Sequence, residues 1–137
     1  MKKLLYFILG ILVLVSCDLH RYSNGKLDGF WHLKEIDTLS TGGVKDLART
    51  KCFWSIEGRL VNVGEGDIFF LHQSYKDTLR LYAPYDHAWH ADSLLKNTDQ
   101  VRAFGINALD EHFKILHLSS DGMILRDSLL QLNFEKY

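Results

Sequence analysis

From Gly29 to Tyr137 the sequence is built of short runs in which apolar and polar residues alternate, separated by turn signals, and no helical period is sustained beyond about three turns. A period of two offers one face to a core and the other to water, so runs of this kind must pair edge to edge. The first run is Phe30 to Ile36, followed by Lys51 to Glu57 and Arg59 to Val63. Gly64-Glu65-Gly66-Asp67 then turns the chain into Ile68 to Tyr75, and Lys76-Asp77 connects that run to Thr78 to Ala83. Ser119-Ser120-Asp121-Gly122 joins Phe113 to Leu118 with Met123 to Arg126, a hairpin connection that suits glycine's tolerance of positive φ. Leu129 to Tyr137 forms the last run. About eight short strands at this spacing predict an all-β domain, either an antiparallel sandwich or a closed barrel. After Pro84, the stretch from Tyr85 to Gln100 reads as a long excursion with one helical turn near Asp92 to Lys96, and Ala108 to His112 as another short turn.

Alternation also assigns faces. Trp31 and Leu33 point inward on the first run, and Cys52, Trp54 and Ile56 on the second. The next is apolar on both sides, so either Phe69 and Leu71 or Phe70 and His72 face the core. Leu79 and Leu81 follow, then Leu116 and Leu118, and finally Leu130, Leu132 and Phe134. Large side chains dominate this set, which leaves both a filled interior and a ligand cavity open.

Ahead of the β-type runs stands a segment of different character. Lys2 and Lys3 precede an uninterrupted apolar stretch, Leu4 to Val15, of signal-peptide length and too short for a comfortable membrane span. Its close, Leu14-Val15-Ser16-Cys17, resembles the lipobox of bacterial lipoproteins. That resemblance implies a signal peptide over residues 1–16, acylation of the Cys17 thiol, and a membrane-tethered mature protein. At about 0.8 kcal/mol per buried methylene, several acyl chains would release slowly. Asp18 to Leu27, polar and containing Ser23-Asn24-Gly25, reads as the tether, so residues 17–27 form the anchor and residues 28–137 the domain. The chain has 16 basic and 17 acidic residues, and removing the leader leaves a formal charge of −3, which argues against a nucleic-acid partner. With Cys17 acylated, Cys52 has no intramolecular disulfide partner and reads as a buried, inert thiol.

Gly29-Phe30-Trp31 is similar to the Gly-x-Trp signature of lipocalins, in which the tryptophan plugs the closed end of an up-and-down barrel. The stretches Gly105-Ile106-Asn107, Glu111 to Ile115, Met123-Ile124-Leu125 and Leu132 to Tyr137 resemble the closing hairpins of lipocalin-like lipoproteins of Gram-negative bacteria. The resemblance implies an antiparallel barrel of about eight strands, an envelope location at the outer membrane, and a basic residue over Trp31, for which Lys136 and Arg126 are candidates. The chain is shorter than larger lipocalins and lacks their disulfide. A small apolar or amphipathic ligand would be met by Trp31, Trp54, Tyr82, Tyr85 and Trp89, the last three clustering around Pro84.

Asp86-His87-Ala88-Trp89-His90-Ala91-Asp92 is the one constellation with metal-ligand chemistry, since His87 and His90 on one helical turn would share a face. The alternative is a polar loop with Trp89 tucked into the barrel mouth, and no metal is assigned. No nucleophile elbow, P-loop, Rossmann fingerprint or paired-cysteine motif occurs. Asp110-Glu111 and Glu65-Gly66-Asp67 lie at turn signals as solvated groups. The sequence therefore predicts no enzyme and no cofactor. It predicts a tethered barrel that either binds a small molecule or, filled by its own side chains, presents its surface to another envelope protein.

Overall fold

The computed structural model describes residues 23–88 and 92–137. Within them lie ten strands: β1 (Gly29–Thr38), β2 (Val44–Asp46), β3 (Phe53–Glu57), β4 (Leu60–Val63), β5 (Ile68–Tyr75), β6 (Thr78–Asp86), β7 (Ser93–Leu94), β8 (Glu111–Leu118), β9 (Gly122–Arg126) and β10 (Leu130–Lys136). Two 3-10 turns accompany them, at Gly25–Leu27 and Arg102–Phe104. Eight strands form a closed antiparallel ring in the order β1, β3, β4, β5, β6, β8, β9, β10, with β10 pairing back onto β1. The two short strands, β2 and β7, extend β1 and β6 near the mouth of the ring.

The alternation read from the sequence survives almost intact as the inside of the ring. Trp31, Leu33, Trp54, Ile56, Leu79, Leu81, Leu132 and Phe134 are buried together, and on β5 the ambiguity resolves to Phe70 and His72. Strand β8 departs from expectation. Phe113 is buried and both Ile115 and Leu118 pack against the core, while Leu116 is 42% exposed. The cause is a slip of register against β9 between Ile115 and His117, and a one-residue slip moves a side chain to the other face.

Two connections also differ. The turn expected near Asp92 to Lys96 is instead β7, whose Ser93 and Leu94 pair with Asp86 and Tyr85, and β8 has already begun at Glu111. Strand β6 runs through Pro84 because Ala83 and Pro84 together oppose Phe70, with Tyr82 paired to Leu71 and Tyr85 to Phe69. Ala83 takes φ +48 there. A bulge is where a sheet tolerates a residue that has no N–H to give.

At the closed end, the indole N–H of the fully buried Trp31 donates to the Leu27 carbonyl at 2.9 Å. The Lys136 ammonium sits 4.7 Å from the centroid of the same indole and donates to the carbonyls of Asp28 at 2.9 Å and Lys26 at 3.2 Å. Lys136, not Arg126, thus covers the tryptophan; Arg126 bonds Gln131 on the wall. Gly29, at φ +148, leaves the room Lys136 needs, since a Cβ there would lie 2.8 Å from the lysine Cε. Gly29→Ala is expected to lower stability by about 1–3 kcal/mol through this overlap. Lys136→Met should cost about 1–2 kcal/mol by leaving two carbonyls without donors. Urea-unfolding midpoints check both, and unchanged midpoints would contradict the clamp.

Candidate functional site

The mouth of the barrel, opposite the Trp31 end, is stoppered by the chain itself. From β7 the backbone returns over the opening, with Leu95 N–H donating to the Pro84 carbonyl at 2.9 Å. Asn97 accepts from the Asp99 N–H, and the Thr98 carbonyl accepts from Val101 and Arg102, which starts the 3-10 turn. Gly105 ends that turn in the left-handed region, at φ 85 and ψ 13. The result drives Val101 and Ile106 to full burial and lays Phe104 against the core.

This plug is held from two sides. The Trp54 indole N–H donates to the Phe104 carbonyl at 3.2 Å, and its ring packs on Phe134 and Phe113 at 4.9 and 5.9 Å between centroids. Gly105 lies so close to β10 that a Cβ would fall 2.6 Å from Leu132 Cδ2. On β8, the buried Glu111 accepts the Asn107 N–H at 3.0 Å. Burial and the nearby Asp127 push the Glu111 carboxyl above its ordinary range, while Asp127 itself accepts from Leu129 and Leu130 in the β9–β10 turn. Glu111 is thus a buried strand residue and not the solvated turn group expected from the sequence, because β8 begins two positions before the alternating run at Phe113.

The predicted ligand residues do not converge. Trp31 and Trp54 are fully buried among core side chains. Tyr82 and Tyr85 lie on the outer wall: the Arg80 guanidinium covers Tyr82 at 4.4 Å while paired with Asp110, and Tyr85 stacks on Phe69 at 5.5 Å. Trp89 and His90 lie outside the described residues, as does Cys17. His87 is exposed and bonds Asp92 through Nδ1 at 2.5 Å; among the described residues no trio of His, Cys, Asp and Glu is placed to hold a metal ion. Inside the barrel, His72 reaches the Gly58 carbonyl through Nε2 at 2.8 Å, and its Nδ1 is buried without a partner.

Two concavities bordered by described residues are open grooves on the outside. One at the mouth, about 210 Å³, lies between the β4–β5 turn and the plug, with Ile68, Ala88 and Phe104 against it. That is below the roughly 300–1,000 Å³ of common small-molecule pockets. A larger one, about 790 Å³, borders Asp28, Ser55 and Gly58 at the closed end and faces solvent.

Residues 12–137 match the family model described as a lipocalin-like domain. The chain belongs to the lipocalin-like family. Two solved structures share its fold. A lipocalin-like protein from Bacteroides uniformis is 18% identical with a TM-score of 0.61, covering 82% of this chain and 100% of its own. An uncharacterised protein from Bacteroides eggerthii is 16% identical with a TM-score of 0.55, covering 80% of this chain and 98% of its own. No curated protein matches. In this chain, residues 95–107 close the mouth of the barrel.

Two measurements probe the plug. Burial pushes the Cys52 thiol up to about 11 against the pull of Lys45, and its sulfur lies 3.9 Å from the Ala103 carbonyl. Only roughly one thiol in a thousand would be ionised at pH 8. In a Cys17→Ser background, Cys52 should therefore resist alkylation, and Gly105→Ala should speed its labelling by about tenfold or more by lifting the plug. Labelling at the rate of a free thiol in the parent would contradict this. The raised Glu111 carboxyl sets a pH trend as well. The proton favours the folded state, so the stability it contributes is complete below the ordinary carboxylate range of about 4 and falls as pH rises through the elevated value. Glu111→Gln should accordingly raise the thermal midpoint at pH 7 and lose that advantage at pH 4; equal shifts at both would refute the assignment.

Proposed function

We propose that this protein is a lipid-anchored component of the bacterial cell envelope whose solid barrel acts without catalysis, presenting its outer wall and loops to another envelope protein. The observation that carries the reading is the filled interior: Trp31, Trp54, Phe70, Phe113 and Phe134 occupy the barrel, and Val101, Phe104 and Ile106 close its mouth. A barrel of eight strands has room either for its own side chains or for one small ligand, and here the side chains take the space.

Anchoring rests on Cys17 at the end of the apolar leader. The described chain begins at Ser23 and reaches the closed end at once, where Asn24 bonds the Gly58 carbonyl at 2.7 Å. The residues between Cys17 and Ser23 span at most about 20 Å, so an acylated Cys17 would keep the closed end near the bilayer and turn the mouth away from it. The outer membrane is the proposed address. A second reading, binding of a small apolar or amphipathic molecule, draws on the mouth groove beside Phe104 and would require the plug to shift.

Native mass spectrometry of the protein recovered from its own host separates the two. Bare protein in repeated preparations is expected; a recurrent small-molecule adduct would favour the second reading and sink the first. Cys17→Ala should abolish metabolic acyl labelling, and a labelled band of unchanged intensity would refute the anchor.

A further inference from the structure

Beside the mouth, the barrel wall offers a strand edge with no neighbour among the described residues. Strand β2 ends the hydrogen-bonded order of the sheet, paired to β1 on one side and to no described residue on the other. The Gly43 carbonyl accepts from Thr38 and the Leu47 N–H donates to Lys34, both at 2.8 Å. Backbone groups alternate sides along a strand, so those of Val44 and Asp46 point away from β1. Unsatisfied edges of this kind are templates for another strand.

The side chains on this edge have a definite character. Residues paired across strands share a face, so Val44, Asp37 and Gln131 form one row on the outer wall and Asp46, Glu35 and Asn133 the next. Val44 is 62% exposed, and Leu39 and Leu129, joined by a backbone bond at the same end, are 40% and 55% exposed. None of the ion pairs among the described residues includes Glu35, Asp37 or Asp46. Their donors are neutral: Asn133 and Gln131 for Glu35 and Asp37, and the Ala48 N–H for Asp46. Asp37 Oδ1 is buried with no donor at all. Burial and the charges of Asp37 and Asp46 push the Glu35 carboxyl up, the signature of like charges crowded together.

We propose that the free edge of β2 is a docking site for an extended segment of a partner protein, which adds as a further strand with an apolar residue beside Val44 and a lysine or arginine two positions along, beside Asp46. Alternation puts both of those side chains on the outer wall, where the cation meets Asp46 and Glu35 together and relieves their crowding. A second copy of this chain does not fit. Two β2 edges laid together would bring one set of three carboxylates against another. The proposal rests on the interaction reading above and names its surface.

The test uses the full-length chain in detergent and a short labelled peptide in which valine and lysine alternate, set against the same peptide with glutamate for lysine. Fluorescence anisotropy should show the lysine peptide binding roughly tenfold or more tightly, with the difference shrinking as salt rises. Val44→Pro removes an outward N–H while sparing the bonds to β1, and should abolish binding. Asp46→Lys should invert the preference toward the glutamate peptide. Shielding of Cys52 from alkylation reports that the barrel is intact in each variant. Equal affinity for both peptides, or a Val44→Pro chain that binds as well as its parent, overturns the proposal. The filled-barrel reading is judged separately, by the mass of the native protein, so the two fail on different measurements.

Discussion

The ring of strands depends on the seam between β1 and β10, and one side chain fastens that seam. Lys136 lies over the Trp31 indole and donates to the carbonyls of Lys26 and Asp28, so a single ammonium joins the 3-10 turn, the first strand and the last. A cation over an aromatic face contributes about 0.5–2 kcal/mol, and hydrogen bonds from a charged donor are among the stronger ones. The arrangement tolerates no side chain at position 29 and requires an indole rather than a smaller ring at position 31, because the indole N–H is what satisfies Leu27.

With the seam closed, β1 must serve three neighbours. It pairs with β10 along most of its length on one edge, and on the other with β3 near the closed end and β2 near the mouth. The change of partner follows from a strand longer than the one beside it, and it is what leaves β2 outside the ring. At the centre, Trp54 touches Phe113, Phe134 and the plug, so the interior and its stopper are one packed unit. Each large apolar side chain buried there contributes roughly 1.5–3 kcal/mol. Filling the barrel is therefore a source of its stability.

Much of this was legible in the sequence because period-two alternation reports directly on faces. The ring strands from Phe30 to Leu81 and the last two follow from it, as does the inward set from Trp31 to Phe134 apart from Leu116. The failures share a cause. At Ile115 to His117 and at Ala83-Pro84 the backbone inserts an extra residue, and local pattern cannot register an insertion that only the partner strand defines. Strand β2 and the plug were missed because Val44-Lys45-Asp46 and Val101 to Ile106 are too short to display a period. Gly105 was the available signal: a glycine within an apolar stretch, at a position where the backbone turns left-handed against Leu132. The predicted aromatic rim scattered because Tyr82 alternates to the outside of a strand whose inward residues are Leu79 and Leu81, and the Ala83-Pro84 bulge turns Tyr85 outward as well.

A stopper that belongs to the same chain differs from a bound molecule in one respect. Residues 95–107 are fastened at both ends, to β7 and to β8, and cannot diffuse away from the mouth they fill. Tethered groups present themselves at an effective concentration on the order of millimolar. Any small molecule seeking the interior competes with Val101, Phe104 and Ile106 at that standing concentration, and must also compensate for the hydrogen bond that Trp54 loses. The covalent continuity of the chain thus sets the threshold that any ligand would have to exceed.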